Sequence, residues 1–406
     1  MKGKGTICIA GKNSIAVAGL YFIYEQFREH YNIVVLPDDK DSGLDEWQPS
    51  LKKHATLLGL NLVSLSDVYE VEDLCFISLE YFKLIKPEKF KDARLYNIHF
   101  SLLPAYKGMY TSAHPILNGE KRSGCTIHRI DEGIDTGSII AQISFPMKKD
   151  IYCKELYEKY LLNGQKLVEK TIGNIIEDNY DAIPQSSEGH SYYSKSSIDY
   201  ANLKIKFESS NTIDVVRQFN AYTFRDFQLP RIGKSHIFGI SETDITSSQP
   251  SGTVVDEDDY TIRLATEERD VVAEKDTFYE FLEAIESENV NEIKKLAVQN
   301  PRLLKESNSQ SWTGLIIAAY KGLNSSLAAL IECGADINKS NSKGTTPLMY
   351  AKEHAISYGN FKGLELLLEE GPDLFAKDIF RRDIFSYLDK EKPFFSEVQK
   401  IISKFN

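Results

Sequence analysis

The stretch NIHFSLLP (residues 97–104) ends a series of short apolar segments and begins a loop rich in glycine and proline. The turn DEGIDTG (residues 131–137) follows one strand-like segment later. Asn97, His99 and Asp135 thereby supply an amide, an imidazole and a carboxylate to one loop system. An amide can donate to a developing oxyanion, an imidazole can carry a proton near pH 7, and a carboxylate can orient that imidazole. This set of groups is typical of an acyl-transfer site that uses no covalent nucleophile.

Short apolar runs alternate with amphipathic segments through residues 1–180. This alternation predicts an α/β domain with a largely parallel sheet. Apolar residues at helical spacing predict a helix over 14–30, and one long helix or a broken pair over 151–178. Such a sheet binds ligands at the carboxyl ends of its strands, and Asn97 and His99 fall at such an end. The predicted strands are 6–10, 33–36, 74–78, 95–98, 124–129 and 139–143.

A second region follows the α/β pattern. Short alternating segments punctuated by glycine and proline over 204–273 predict a small β-rich domain. The composition turns polar near residue 184, where a domain boundary is expected. The predicted domains are therefore 1–183, 184–274 and 275–406.

The third region is an internal repeat. TGL (313–315) recurs as TPL (346–348), and LIECGADIN (330–338) recurs as LLEEGPDL (367–374) with about four additional residues before it. A unit of 33 residues with these helix starts and turns resembles ankyrin repeats. Stacked copies of this kind stabilise one another. The predicted flanking helix pairs cover 278–296 and 383–403.

Composition restricts the class of protein. The chain has 406 residues, of which 42% are hydrophobic, enough for two or three domains. Its 48 basic and 59 acidic residues give a net charge of -11, which disfavours nucleic acid, tRNA included, as a partner. The five cysteines are an odd number, are widely spaced and show no zinc-ligand spacing, so we expect reduced thiols and no metal. No run approaches the roughly 18 apolar residues of a membrane helix, so we expect a cytoplasmic protein without a membrane partner.

At the residues of its loop system the chain resembles the folate-dependent formyltransferases, a family that includes glycinamide ribonucleotide, methionyl-tRNA and sugar N-formyltransferases. The resemblance implies an α/β formyltransferase-type Rossmann-like domain, then the small β-rich domain and an α-helical ankyrin-repeat array. It also implies that Asn97, His99 and Asp135 are catalytic, that N10-formyltetrahydrofolate donates the formyl group, and that the protein is a homodimer. The matching residues are Asn97, His99, SLLP (101–104), Gly108, TIH (126–128) and DTG (135–137).

The resemblance also locates the folate site. It places this site on the loop after the strand 74–78, with a second wall at 130–135. A competing interpretation makes Tyr81, Leu84 and Ile85 ordinary core residues. The implied folate-binding residues are Tyr81, Lys83, Leu84, Ile85 and Ile130.

Aromatic and basic side chains indicate the acceptor site, since they suit a stacked nucleobase and a diphosphate. They resemble segments of sugar N-formyltransferases that act on dTDP-linked amino sugars. A hydrophobic plug between domains is the alternative for the clusters near 193 and 222. The candidate substrate-binding residues are Met109, Tyr110, Tyr193, Lys195, Tyr222, Phe224 and Arg225.

Three functions are compatible with these features. The first is formylation of the amine of a dTDP-linked amino deoxysugar, such as a 3- or 4-amino-dideoxyhexose, for surface-polysaccharide (O-antigen, lipopolysaccharide) biosynthesis. The second is formylation of a purine-pathway ribonucleotide amine, and the third is a non-catalytic ankyrin scaffold. The ankyrin region itself is either a rigid appendage or dimer element, or a second binding surface for a ligand or a protein. In the latter case Trp312, Tyr320 and Tyr350 would offer aromatic rings.

Overall fold

The computed structural model describes residues 5–208 and 210–405. This described chain forms two compact units. The second unit consists of Asp45–Gln48, Asp258–Thr261 and the residues from Glu274 onward, and the first holds the remainder. The α/β and β-rich regions share the first unit, so the boundary after residue 183 stays a prediction. No helix of the described chain is both long and apolar enough to cross a membrane.

The six strands predicted before residue 150 are all present, each of them longer than predicted by one to three residues. Three two-residue strands, at residues 61–62, 107–108 and 192–193, were not predicted because two residues carry no periodic signal. Through residue 193 the described chain contains β1 (Thr6–Gly11), β2 (Asn32–Pro37), β3 (Asn61–Leu62), β4 (Leu74–Leu79), β5 (Ala93–His99), β6 (Lys107–Gly108), β7 (Arg122–Arg129), β8 (Ile139–Pro146) and β9 (Tyr192–Tyr193).

Seven of these strands form one sheet in the order β3-β2-β1-β4-β5-β7-β8 within the described chain, and β6 pairs with β9. The first five strands in this order, β3, β2, β1, β4 and β5, run parallel, as predicted. The pairs β5-β7 and β7-β8 are antiparallel. The turn 130–138 joins β7 to β8, and it is shorter than the roughly dozen residues that a parallel connection needs.

Two helices cover the central strands. The predicted helix over 14–30 lies at Asn13–Phe27 (α1), and it contacts the long helix over residues 153–176. The segment 151–178 forms one unbroken helix, which decides between the two predicted alternatives. The shorter helices were not predicted. The long helix is α5 (Cys153–Ile176). The other helices before residue 225 are α2 (Leu51–Leu57), α3 (Leu65–Tyr69), α4 (His114–Leu117) and α6 (Thr212–Tyr222).

The predicted β-rich region is a five-stranded sheet in the order β10-β11-β14-β13-β12. Helix α6 packs on it, with Val215 and Phe219 in a buried cluster that includes Ile237, Leu264 and Val271. The alternating pattern over 204–273 predicted strands only and did not predict this helix. The strands are β10 (Arg231–Ile232), β11 (Ser235–Glu242), β12 (Val254–Glu257), β13 (Thr261–Leu264) and β14 (Val271–Lys275).

The second unit contains the repeated helix pairs. Thr313 and Thr346 cap their helices by accepting from the backbone N–H three residues on, which explains the recurring threonine. The additional residues of the second copy lengthen its first helix, which has 12 residues against 8. The helices are α7 (Phe278–Glu286), α8 (Val290–Gln299), α9 (Gly314–Lys321), α10 (Asn324–Glu332), α11 (Pro347–Tyr358), α12 (Lys362–Glu369) and α13 (Phe395–Ile402).

The predicted trailing helix pair over 383–403 is half wrong. Only α13 forms there in the described chain, and 383–394 consists mostly of turns. Pro393 lies just before α13, where it ends any preceding helical run.

Candidate active site

The candidate catalytic residues lie at the carboxyl edge of the large sheet. His99 is the last residue of β5, and Asn97 lies two residues before it. Asn97 pairs with His128 of β7, and Asp135 follows in the turn between β7 and β8. The fold thus brings together the three groups that the sequence analysis grouped.

His99 is buried, with 8% of its surface exposed, and both ring nitrogens face oxygen atoms. Its Nε2 lies 2.7 Å from the backbone oxygen of Tyr106, and its Nδ1 lies 3.4 Å from Oδ2 of Asp135. Because a carbonyl oxygen only accepts, Nε2 carries the hydrogen and Nδ1 is the basic nitrogen. Burial lowers the pKa of His99, and the charge of Asp135 and the bond to Tyr106 partly oppose this. His99 is therefore a neutral base at pH 7.

His128 orients the amide of Asn97. The Nδ1 atom of His128 donates to the backbone oxygen of Arg129 at 2.7 Å, which leaves its Nε2 as an acceptor. Asn97 Nδ2 lies 3.2 Å from that Nε2 and 3.5 Å from Oδ1 of Asp135. One amide hydrogen is thus held by His128. The other makes only the long contact with Asp135 and is available to a ligand oxygen.

Asp135 adopts a left-handed backbone conformation with φ of 54°, which is uncommon for residues other than glycine. Its Oδ2 accepts a hydrogen bond from the backbone N–H of Gly108 at 2.9 Å. Burial alone would raise the pKa of Asp135, but His99, His128 and the Gly108 N–H together lower it to about 2. The group is a carboxylate at neutral pH and stabilises a proton on His99.

Residues 183–193, here called the strap, connect the two catalytic loops. The side-chain amide of Gln185 donates from Nε2 to the backbone oxygens of Asp135 and of the residue two positions on, both at 2.8 Å. Ser191 Oγ accepts from the backbone N–H of Tyr106 at 2.8 Å. The strap therefore holds both the turn that carries Asp135 and the carbonyl that sets the His99 tautomer.

A cavity of about 500 Å³ lies beside these groups, and all five predicted folate-binding residues line it. Its wall includes exposed apolar side chains, namely Phe82, Leu84 and Ile134, with 52%, 60% and 42% of their surfaces exposed. Exposed apolar groups around a cavity mark a ligand site. Tyr81 and Ile85 also belong to a buried cluster, so the core interpretation holds for them but not for Leu84.

Two of the predicted substrate-binding residues, Met109 and Tyr110, line the same cavity. Of the two tyrosines at the end of the strap, Tyr192 lines the cavity, whereas Tyr193 is not among the described residues that line it. The Tyr193 ring stacks instead on His114, with ring centroids 3.7 Å apart. Alternation along the short strand β9 explains this exchange, since neighbouring side chains point to opposite faces.

Besides Tyr193, four predicted substrate-binding residues are not among the described residues that line the cavity: Lys195, Tyr222, Phe224 and Arg225. Phe224 is a core residue with 5% of its surface exposed, and its ring packs on Tyr157. The Arg225 guanidinium lies over the Phe238 ring, 4.5 Å from its centroid. Burial against these rings corrects the predicted stacking role of Phe224 and favours the plug.

Tyr222 stands at the far end of a row of rings that begins at the cavity. The Tyr110 and Tyr200 centroids are 5.1 Å apart, and those of Tyr200 and Tyr222 are 6.3 Å apart. Lys195 presents its backbone oxygen to the Tyr110 hydroxyl at 3.1 Å. Tyr222 is thereby linked to the cavity through other rings.

Four residues of this region were not among the predicted site residues: Glu80, His128, Gln185 and Tyr192. Of these, His128 lies in the matched segment TIH (126–128), and Tyr192 belongs to the aromatic cluster that includes Tyr193. Glu80 follows β4 directly, so the rule that ligands bind at strand ends could have found it. Burial raises the pKa of Glu80, and the charge of Lys12 opposes this. Gln185 gave no signal, because it lies in a polar loop far along the chain from its partners. Across the described ranges, no group of three or more His, Cys, Asp or Glu side chains is placed to hold a metal.

Comparison with protein families identifies two regions of the chain. A family model described as formyl transferase matches residues 61–172, and one described as ankyrin repeats (3 copies) matches residues 281–378. A methionyl-tRNA formyltransferase of Finegoldia magna is 29% identical over 182 residues, covering 42% of this chain and 58% of that protein. The chain thus spans less than two thirds of the length of this relative.

Two solved structures match a larger share of the chain. WlaRD, a sugar 3N-formyl transferase crystallised in the presence of dTDP and 5-N-formyl-THF, is 38% identical with a TM-score of 0.62, covering 68% of this chain and 98% of that one. An N-formyltransferase from Helicobacter canadensis in complex with folinic acid and dTDP-3-aminofucose is 36% identical with a TM-score of 0.61, covering 66% and 99%. Since this identity extends over nearly the whole of a sugar N-formyltransferase, the chain belongs to the sugar N-formyltransferase family and carries ankyrin repeats in its C-terminal region.

Proposed function

We propose that this enzyme transfers the formyl group of N10-formyltetrahydrofolate to the amine of a dTDP-linked amino deoxysugar. The observation that carries the proposal is the grouping of Asn97, His99 and Asp135 at the wall of the cavity. The two similar structures were determined with dTDP or dTDP-3-aminofucose and with a formylated folate. They favour a 3-amino sugar over a 4-amino sugar. Use of the product in surface polysaccharides belongs to the same proposal.

His99 would act as the base of the reaction. Formyl transfer forms a bond between the amine nitrogen and the formyl carbon, and the amine must lose a proton as this bond forms. Nδ1 of His99 is the free basic nitrogen, and after it takes the proton both ring N–H groups have acceptors in Tyr106 and Asp135. General acid-base help of this kind is worth roughly 10²–10⁴ in rate. The same proton can then be returned to the folate nitrogen that leaves the formyl carbon.

Asn97 would stabilise the negative charge that develops on the formyl oxygen. Its second amide hydrogen makes only a contact of 3.5 Å with Asp135, so it can turn to a stronger acceptor. His128 keeps the amide nitrogen on the correct side. Loss of one such donor typically lowers turnover by roughly 10²–10³.

The residues that line the cavity support a formyl folate as the proposed ligand. A bound formyl folate supplies an activated formyl group attached to nitrogen. Around the cavity, Phe82, Leu84 and Ile134 offer apolar surface to a flat ring system. Lys83 lies at the same wall and carries a positive charge that suits the carboxylates of a folate tail, although it is paired here with Asp39 at 2.7 Å.

Methionyl-tRNA is the acceptor of several proteins similar in sequence to this chain. The net charge of -11 disfavours a tRNA partner, because tRNA binding rests on concentrated positive charge. Formylation of a purine-pathway ribonucleotide would need the same catalytic groups but gives no reason for the aromatic row from Tyr110 to Tyr222. A non-catalytic scaffold would not require the imidazole of His99 to lie 3.4 Å from the carboxylate of Asp135.

The test is product analysis by mass spectrometry. We expect the protein, offered N10-formyltetrahydrofolate and a panel of dTDP-amino sugars, to add one formyl group to at least one sugar. Because His99 and Asn97 act on the reacting atoms, His99→Ala and Asn97→Ala should fold normally and lose about a hundredfold or more in turnover. Methionyl-tRNA and glycinamide ribonucleotide serve as competing acceptors. Formylation of either one, with no product from any nucleotide sugar, would overturn the proposal.

A further inference from the structure

Three side chains stand level at the carboxyl edge of adjacent parallel strands. The register places the last paired residues of β1, β4 and β5 side by side. One position farther along lie Lys12, Glu80 and His99, and all three line the cavity. Neighbouring strands are about 4.8 Å apart. A carboxylate therefore stands one strand away from the proposed base.

Only one oxygen of this carboxylate is used by the protein. Glu80 Oε2 accepts from Asn13 Nδ2 at 2.8 Å and from the Tyr157 hydroxyl at 2.5 Å. Its Oε1 has no hydrogen-bond partner among the described residues, and the half-buried Glu80 lines the cavity. The two bonds to Oε2 restrain the carboxylate group. Oε1 is thus a rigid acceptor available to a ligand.

The backbone around this group is also unusual. Glu80 and Asn13 both have left-handed conformations, with φ of 62° and 64°. Such conformations cost free energy and cluster where a side chain must be held in one direction for function. A partly buried carboxylate with one unpaired oxygen adds a further desolvation cost. Glycine would avoid the first cost and an apolar side chain the second, so a glutamate at this position indicates that a ligand uses Oε1.

We propose that Glu80 Oε1 accepts a hydrogen bond from the sugar hydroxyl next to the amine that is formylated, an inference that rests on the proposed function. His99 lies one strand away, so a sugar whose amine faces His99 turns a neighbouring ring substituent toward Glu80. The partner is a hydroxyl rather than the amine, because a carboxylate at the amine would favour the ammonium form, which cannot attack. Glu80 is thus a residue that selects the acceptor sugar.

The test compares each accepted amino sugar with two analogues, each lacking one of the hydroxyls beside the amine. In the intact enzyme, kcat/KM should fall about 10- to 100-fold for one analogue, the range for a hydrogen bond to a charged group. In Glu80→Ala the sugar and that analogue should be used equally well. In the isosteric Glu80→Gln, which keeps an acceptor for Asn13 and Tyr157, the ratio should fall to a few-fold. Affinity for dTDP alone should stay unchanged in both variants, which also shows that they are folded.

Glu242→Ala provides a matched control, since Glu242 is a carboxylate of the same unit that pairs with Lys149 at its own site. Its sugar-to-analogue ratio should equal that of the unaltered enzyme. An unchanged ratio in Glu80→Ala and Glu80→Gln would overturn the role of Glu80 while leaving the proposed function intact. No turnover of any dTDP-amino sugar by the intact enzyme would overturn both.

Discussion

At the residue scale, His99 determines how the site responds to pH. Burial holds its pKa below the ordinary value of 6.5, so it stays neutral and basic as the pH falls through 6.5. The unfolded chain takes up that proton in the same range, so this residue lowers folding stability as the pH falls below 6.5. The same burial that destabilises the protein in acid therefore keeps the base available.

We predict that, once kcat/KM is corrected for the fraction of amino sugar that is unprotonated at each pH, the remaining acid limb lies below pH 6.5. The charge of Asp135 raises the pKa of His99, so Asp135→Asn should move the limb still lower, along with a loss of turnover. A pH–rate profile of each protein measures this. Asp178→Asn is the matched control, because Asp178 also has a left-handed conformation, with φ of 55° against 54°, and pairs with Arg94 near the start of β5. A limb that moves upward in Asp135→Asn would contradict the assignment of Nδ1 as the base.

At the scale of elements, the strap connects segments that are far apart in sequence. Gln185 directs both amide hydrogens at backbone oxygens of the Asp135 turn, and its own Oε1 has no partner in the part of the chain that the structure describes. The Gln185 side chain thus satisfies the two backbone oxygens of the Asp135 turn while its own buried oxygen stays without a hydrogen bond in the described chain. This orientation favours holding the turn over satisfying the amide itself. Gln185 is therefore a positioning residue for Asp135.

We predict that Gln185→Met lowers kcat by roughly 10- to 100-fold, the effect of misplacing a reacting group by about 1 Å, with little change in either KM. The acid limb should also shift downward, as Asp135 moves away from His99. Steady-state kinetics over a range of pH tests both. Gln218→Met is the control, since Gln218 also donates to backbone oxygens, those of Lys206 and Asp214, in the β-rich region. A lowered melting temperature with unchanged kcat would assign Gln185 to stability alone.

At the scale of the whole molecule, the catalytic groups and the repeats belong to different compact units. Asn97, His99 and Asp135 lie in the first unit, and the repeated helices lie in the second. In the second unit the rings of Trp312, Tyr320 and Tyr350 lie together, with centroids between 4.9 and 5.7 Å apart. The repeats thus have an aromatic cluster of their own, separate from the catalytic residues.

We predict that a chain ending after Asp276 stays folded and retains measurable turnover. The end point lies beyond Ala273, because β14 continues to Lys275 and a cut at 273 would remove two residues of that strand. Circular dichroism and formyl transfer to the accepted sugar measure the outcome. The Asn97→Ala form of the same truncation provides the baseline. A folded truncation without activity would show that the repeats are needed for catalysis.

The sequence alone determined the elements whose signals are local. The apolar runs of β1, β4 and β5 are fully or largely buried central strands, so their composition marked them. The repeat was legible because stacked copies reuse the same caps, as at Thr313 and Thr346. Asn97, His99 and Asp135 stood out because three types of group with complementary chemistry lay on one loop system.

Only the tertiary structure decided which distant groups meet. Gln185 lies 50 residues from Asp135, and Glu80 lies 67 residues from Asn13, so no local pattern could join them. Phe224 is a core residue, and Tyr192 lines the cavity in place of Tyr193, because burial and side-chain direction depend on packing against other segments. The tautomer of His99 likewise depends on the carbonyl of Tyr106, which the strap holds in place. Residue types limit the chemistry that is possible, whereas distances and directions between side chains arise only when the chain has folded.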